Sequence, residues 1–282
     1  MPELPEVQTI TMDLDELTTG RTILEVAVIY DRIVASETSR FSQLLIGAAI
    51  KKVSRLGKWI LFNLNGPAGP TFLLTHLKMT GQFVLGPWSM ADSWPPHIQA
   101  AFLLDPPLAA GPALLYYDIR KFGRLRAFDS AELATFLTEL KLGPDPLTVL
   151  PEEFHRRVTA KKGRLKGVLL DQTIVAGFGN IYVDESLFAA RLSPLRSASS
   201  LTRAETGRLL IEARRIFVTA IRERGSTTSN YHGLKGGGTY QLQHQVYGRA
   251  GNSCPVCGAV ITRFIVGGRS THICLICQGG KQ

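Results

Sequence analysis

The chain has 282 residues, 45% of them hydrophobic, and its 32 Lys and Arg against 23 Asp and Glu give a formal net charge of +9. That length buries a substantial core and suits two domains, while no apolar run approaches the roughly 18 residues that a membrane-spanning helix requires. The charge is uneven: residues 1–150 carry 13 basic and 15 acidic side chains, residues 151–282 carry 19 and 8. This asymmetry points to a polyanion partner for the second part, nucleic acid before an acidic membrane surface.

In chain order, residues 5–18 read as a helix, with prolines suited to its first turn and Glu3 and Glu6 to its positive end. From Thr22 the pattern turns to short β-rich runs separated by Gly, Pro or Asn, over 22–29, 49–55, 58–63, 71–75, 99–104 and 113–117. Regular short strands with turn signals argue for a sandwich or barrel-like domain. Residues 87–96, with two tryptophans and three prolines, read as a loop. Helical character begins at Ser130 and breaks at the Gly/Pro cluster of 142–147, which reads as a linker. Beyond it, 151–159, 163–170, 179–190 and 201–224 carry helical periodicity, with Thr202 and Glu205 at capping-box spacing. Gly236-Gly237-Gly238 marks a flexible loop, and 259–265 and 269–273 read as two short strands joined at 266–268.

Three motifs carry chemistry. The first is the start, Met1-Pro2-Glu3. If Met1 is clipped, Pro2 presents a secondary amine beside a carboxylic acid. A free α-amine titrates at about 7.7–8.0, so part of it is unprotonated near neutral pH, and after attack on a sugar carbon the ring nitrogen can form an iminium electron sink. The plainer alternative is that these residues only start a helix. The second motif is Cys254-Pro-Val-Cys257 with Cys274-Leu-Ile-Cys277, which together hold all 4 cysteines. Such paired turns complete a tetrahedral sulfur cage that suits one structural zinc ion with no open position. Disulfides are the alternative, weakened by the absence of a secretory signal and by the clustering of the cysteines. The third is Gly177-Phe178-Gly179-Asn180 ahead of a helix, where backbone N–H groups and the Asn180 side chain can hold a phosphate. The same pattern is often only a turn and cap.

With these motifs, Gln245-Val-Tyr-Gly-Arg249, His76-Leu-Lys-Met-Thr-Gly81 and Asp118-Ile-Arg-Lys-Phe-Gly123 make the chain, from Met1 to Gln278, resemble the bacterial formamidopyrimidine-DNA glycosylase and endonuclease VIII family of base-excision repair enzymes. It resembles the formamidopyrimidine-DNA glycosylase side of that family more closely. The resemblance implies an α+β protein with an N-terminal β-sandwich flanked by helices (1–132), a linker (133–150), a helix–two-turn–helix domain (151–237) and a four-cysteine zinc-finger β-hairpin (238–282). It implies Pro2 as nucleophile and Glu3 as the acid assisting sugar-ring opening. Lys58, Asn180 and Arg269 would grip phosphates near the lesion, Lys58 and Arg269 thereby serving the catalytic step. Met79, Arg120 and Phe122 would fill the void in the duplex, with Arg120 facing the orphaned cytosine and Phe122 wedging a base step. Lys166 matches a lysine near the active site in contact with DNA, and Tyr182 and Glu185 serve the structure of the Asn180 turn.

The chain departs from many relatives in having Lys78 where they have Gly and Ile119 where they have Pro, and the segment 225–238 occupies the loop that in relatives covers an extruded purine. The function implied is a monomeric, cytoplasmic bacterial glycosylase and abasic-site lyase excising oxidised purines from damaged double-stranded DNA. Two alternatives stay open: an endonuclease VIII-like enzyme for oxidised pyrimidines, and a non-catalytic zinc-finger damage sensor.

Overall fold

The computed structural model describes residues 1–35, 37–89, 94–227 and 233–279. The chain forms two compact units: Met1–Pro2, Glu6–Leu140 and Ser226–Gly238 make the first, and Glu3–Pro5, Lys141–Gly225 and Thr239–Gln282 the second. No helix among the described residues is long and apolar enough to cross a membrane.

In the first unit, helix α1 (Leu4–Thr18) and the short α2 (Thr38–Leu45) accompany eight strands: β1 (Thr22–Val28), β2 (Ala49–Leu56), β3 (Trp59–Gly66), β4 (Gly69–His76), β5 (Gly81–Gly86), β6 (Ile98–Leu108), β7 (Gly111–Asp118) and β8 (Arg124–Asp129). All pairings are antiparallel, in the order β5-β7-β6-β1-β2-β3-β4-β8. The link between β1 and β2 is a single residue pair, Thr22 with Ala49, whereas the other neighbours pair along several residues. The sheet therefore folds at that link into two four-stranded layers, and the expected β-sandwich is present.

The side-chain period of 2 along a strand sorts the residues: Ile60, Phe62 and Leu64 on β3 point into the core, and Asn63 and Asn65 between and after them do not. Phe62 on one layer meets Phe83 on the other with ring centroids 5.7 Å apart. Val7, Ile10 and Leu14, spaced three and four along α1, seal the same core.

Three elements were not expected from the sequence. The eight-residue α2 has no side-chain cap, β5 is bounded by Gly81 and Gly86, and β8 hides its buried Leu125 and Ala127 among arginines. Residues 133–140 of the expected linker form the end of α3 (Ser130–Leu140), whose Leu133 is buried, because its apolar residues recur at helical spacing up to the Gly/Pro cluster. Ser226–Gly238 groups with the first unit, although 226–237 was expected with the helical domain and Gly238 with the zinc finger. There the Ser226 N–H donates to Glu6 Oε1 at 2.8 Å and Leu234 packs on the sandwich core.

The second unit contains α4 (Pro151–Thr159), α5 (Leu165–Leu170), α6 (Asn180–Ala189), α7 (Arg203–Arg222) and the hairpin β9 (Thr262–Val266) and β10 (Arg269–Ile273). Proline opens α4, and a reciprocal capping box between Thr202 and Glu205 opens α7. From Ile181 to Phe188 every residue of α6 is buried, so it is the central helix of this unit, packed by Phe178, Phe217 and Tyr240. The hairpin turns on Gly267 and Gly268, both left-handed at φ 56 and 75, the conformation that a two-residue turn needs and that side chains resist.

Candidate functional site

In the second unit the N-terminal segment and the Gly-Phe-Gly-Asn turn are one structure. The Leu4 N–H donates to the Gly177 carbonyl at 3.1 Å. The buried Glu3 carboxylate accepts the N–H of Ile181 on Oε1 at 3.0 Å and the N–H of Tyr182 on Oε2 at 3.2 Å. A carboxylate there satisfies two of the orphan donors of α6 and lies at the positive end of its dipole. The glycines permit the approach: a Cβ on Gly179 would stand 2.1 Å from Glu3 Cδ, and one on Gly177, left-handed at φ 102, 2.6 Å from Leu4 Cδ1. The sequence suggested that these backbone N–H groups hold a phosphate. They hold Glu3 instead, because a carboxylate of the chain itself reaches them first. Asn180 opens α6, and its side chain opposes the upward shift that burial imposes on the Tyr247 phenol.

Two adjacent carboxylates further along α6 fasten the zinc finger. Asp184 Oδ1 pairs with Lys166 Nζ at 2.7 Å with both side chains fully buried, and the same ammonium donates to the Ser270 carbonyl on β10 at 2.6 Å. Asp184 Oδ2 accepts the His272 N–H at 2.9 Å. Burial pulls the Lys166 ammonium below its usual range, and Asp184 opposes that shift. The Lys166 charge is thus turned inward, and the residue positions β10, on which Arg269 stands exposed. Glu185 accepts the N–H groups of Gln245, Val246 and Tyr247 at 2.8–2.9 Å; burial pushes its pKa up and those three bonds pull it down. Sequence reading assigned Glu185 to local structure and passed over Asp184 and His272. The available signal was a pair of acidic residues within an otherwise apolar helix, since buried charges require partners.

The four cysteines form a metal cage. Their Sγ atoms all lie within 4.8 Å of one another, with Cys254 and Cys277 at 3.8 Å and Cys257 and Cys274 at 3.4 Å. A tetrahedral zinc–sulfur site with bonds of about 2.3 Å needs sulfurs about 3.8 Å apart, whereas a disulfide needs about 2.05 Å. The cysteines are free of disulfides and fit one structural zinc ion.

In the first unit Pro2 and Lys58 are buried, Lys58 at 6% exposure, so Lys58 is not a solvated surface charge. His76 is held down to about 3, first by burial and then by the charges of Lys78 and Lys58. It is therefore a neutral imidazole at pH 7, and its Nδ1 accepts the Lys78 N–H at 3.0 Å. Met79 and Phe122 are 42% and 47% exposed, which sets aside the reading of both as core, and the Arg120 guanidinium lies 4.6 Å over the Phe122 ring. The residues around the expected purine-covering loop are described only at its ends; 228–232 lie outside the described residues.

A β-sandwich, a helical unit whose central helix receives an N-terminal carboxylate, and a zinc-clasped hairpin define a zinc-finger DNA glycosylase. Family models agree in order along the chain: the formamidopyrimidine-DNA glycosylase N-terminal domain matches residues 1–125, its H2TH domain 142–232, and the zinc finger found in FPG and IleRS 251–279. The chain is 40% identical over 281 residues to the formamidopyrimidine-DNA glycosylase of Streptococcus pyogenes, covering 99% of this chain and 98% of that one. It is also 40% identical over 289 residues to that of Thermus thermophilus, covering 99% of each. A solved complex between the Lactococcus lactis enzyme and DNA containing an abasic site superimposes with a TM-score of 0.88 at 32% identity, over 98% of this chain and 99% of that one. The chain belongs to the formamidopyrimidine-DNA glycosylase family.

Two expectations follow. Chelating the zinc should release one ion per chain and expose all 4 cysteines to a thiol reagent, with loss of the finger's fold; thiols equally reactive before and after chelation would refute the structural site. Gly179→Ala should push Glu3 off the α6 terminus and lower stability by about 1–3 kcal/mol in chemical denaturation, with zinc content unchanged. Wild-type stability with Glu3 still in place would contradict the close approach.

Proposed function

We propose that the protein is a bifunctional DNA glycosylase and abasic-site lyase that removes oxidised purines, 8-oxoguanine and formamidopyrimidines, opposite cytosine. The observation that carries this reading is the buried Glu3 carboxylate locked at the start of α6, one residue after Pro2. Removal of Met1 makes the Pro2 nitrogen a secondary amine whose α-amino pKa of about 7.7–8.0 leaves part of it unprotonated near neutral pH. Attack by that nitrogen on C1′ of the damaged nucleotide forms a C–N bond as the glycosidic bond breaks and the base leaves with a proton. Glu3 assists opening of the sugar ring at O4′. The resulting iminium draws electrons from C2′, so loss of a C2′ proton expels the 3′ phosphate, and a second elimination expels the 5′ phosphate.

The remaining residues serve access and grip. Extruding a base from the stack costs a few kcal/mol, and exposed Met79, Phe122 and Arg120 are suited to replace its contacts, with Arg120 facing the cytosine. Lys58, Asn180 and Arg269 hold flanking phosphates, and zinc keeps the Arg269 hairpin rigid. Lys166 acts by fixing β10 and has no role as a phosphate ligand, since its ammonium is buried against Asp184. The solved complexes of the Lactococcus lactis relative with abasic-site DNA and with Fapy-dG-containing DNA support damaged DNA as the partner, and a monomer is enough for a duplex with one extruded base.

Protein with a confirmed Pro2 terminus, incubated with an 8-oxoguanine:cytosine duplex and borohydride, should yield a covalent adduct that mass spectrometry locates on Pro2, and Pro2→Gly should abolish the adduct while retaining DNA binding. Binding without an adduct favours the damage-sensor reading, and adducts formed only with oxidised-pyrimidine duplexes favour the endonuclease VIII-like one. Arg269→Ala should weaken duplex binding and reduce the slope of log K against log salt by about 1; an unchanged slope removes the finger contact.

A further inference from the structure

The two loops that carry Met79 and the Arg120–Lys121–Phe122 triplet are built on one buried carboxylate. Asp118, at the end of β7, is fully buried. Its Oδ1 accepts the Thr80 hydroxyl and, at 3.2 Å, the Arg120 N–H; its Oδ2 accepts the Gly123 N–H at 2.8 Å. The triplet is therefore pinned at both ends to one side chain, and that side chain also grips the residue after Met79. The Arg120 N–H lies 3.2 Å from Thr80 Oγ1 as well, so one loop's backbone meets the other's hydroxyl.

The Met79 turn is closed on its other sides by the Gly81 N–H to the Leu77 carbonyl at 2.9 Å and the Lys78 N–H to His76 Nδ1 at 3.0 Å. Asp118 in turn is fixed through its own backbone, its N–H donating to the His97 carbonyl at 2.9 Å and its carbonyl accepting from Gln99 Nε2 at 3.0 Å. Beneath the carboxylate, the buried Tyr116 hydroxyl fills the space between the loops. A Cβ on Gly81 would lie 2.2 Å from it and one on Gly123 closer still. Both loop-closing positions thus require glycine for the same reason: one tyrosine separates them.

We propose that Asp118, with Thr80 and the Tyr116 spacer, is a positioning device that makes Met79, Arg120 and Phe122 a single preformed wedge, so that base extrusion from duplex DNA orders no loop. The inference rests on the reading of those three side chains as void fillers. Ordering loop residues at the moment of binding subtracts directly from the energy available for extrusion, and two loops anchored to one carboxylate are ordered beforehand. Such a device matters only where a base must leave a stack. Chemistry at Pro2 on a sugar that is already accessible does not need it.

The test compares two substrates in single-turnover assays with full-length protein bearing a confirmed Pro2 terminus: an 8-oxoguanine:cytosine duplex, and an abasic site in single-stranded DNA. Asp118→Asn keeps the shape but sets an amide donor against the loop donors. It should slow duplex excision by about tenfold or more while leaving single-strand abasic cleavage within about threefold. Thr80→Val, which removes one bond and is the milder variant should Asp118→Asn fail to fold, should shift the ratio of the two rates in the same direction. A parallel loss on both substrates, or none on either, overturns the proposal. A wild-type protein inactive on both substrates strikes instead at the Pro2 chemistry. The wedge is then read by 2-aminopurine placed beside the lesion, whose unstacking signal on binding should fall in Thr80→Val and whose persistence at the wild-type level would overturn the proposal.

Discussion

The second unit is organised around a carboxylate received by a helix end. Glu3 reaches Ile181 and Tyr182 only because the Gly177 and Gly179 positions have no Cβ, and Leu4 follows it into the same turn through the Gly177 carbonyl. An α-helix leaves its first N–H groups without partners, and in a buried setting a missing partner costs about 1–3 kcal/mol per group. Glu3 satisfies two of them, and in return the helix fixes the segment that follows Pro2 to within hydrogen-bond tolerance. The first residues of a chain usually fray, and the segment that carries Glu3 is held against that here.

The helix that receives Glu3 also fixes the finger. Along α6, Asn180 meets Tyr247, Asp184 holds Lys166 and the His272 backbone, and Glu185 gathers three consecutive N–H groups of 245–247. Tyr247 and His272 touch edge to face with centroids 5.0 Å apart, so the two attachments support each other. Buried ion pairs are poor sources of net stability compared with apolar packing, but removing one partner is costly because a bare charge remains. Lys166–Asp184 therefore acts as a register pin: with it in place β10 has one position, and Arg269 at its start inherits that position. Zinc closes the hairpin from within, and the α6 carboxylates fix it from below.

How much of this was legible depended on whether a residue's partner lay nearby in sequence. The cysteine cage, the hairpin turning on Gly267 and Gly268, the Thr202–Glu205 cap and the long helices depend on residues a few positions apart, and spacing alone revealed them. The sandwich was visible as a series of short strands. Its layering was not, because the single Thr22–Ala49 link that divides it leaves no mark in either strand. The glycines of 177–179 looked like a phosphate cradle because the carboxylate that fills the turn is more than 170 residues away. Lys166 was matched by resemblance to a lysine in contact with DNA, and no local pattern distinguishes such a lysine from one facing a buried aspartate.

The loops of the first unit show where local rules are broken. Lys78 and Lys121 are both left-handed, at φ 53 and 58, a conformation that costs a residue with a Cβ about 1–2 kcal/mol. Glycine is the unstrained choice at such a position, and this chain keeps a charged side chain there against that preference. Each strained lysine sits beside an exposed apolar residue, Met79 in one loop and Phe122 in the other. Backbone strain persists only where surrounding contacts over-determine it, and here those contacts are the Asp118 carboxylate, the Tyr116 spacer and His76. A loop free to relax would rotate its lysine back to negative φ and carry the neighbouring side chain with it. The strain and the exposure of Met79 and Phe122 therefore have one origin, a scaffold rigid enough to hold two apolar side chains in water without letting them fold back onto the core.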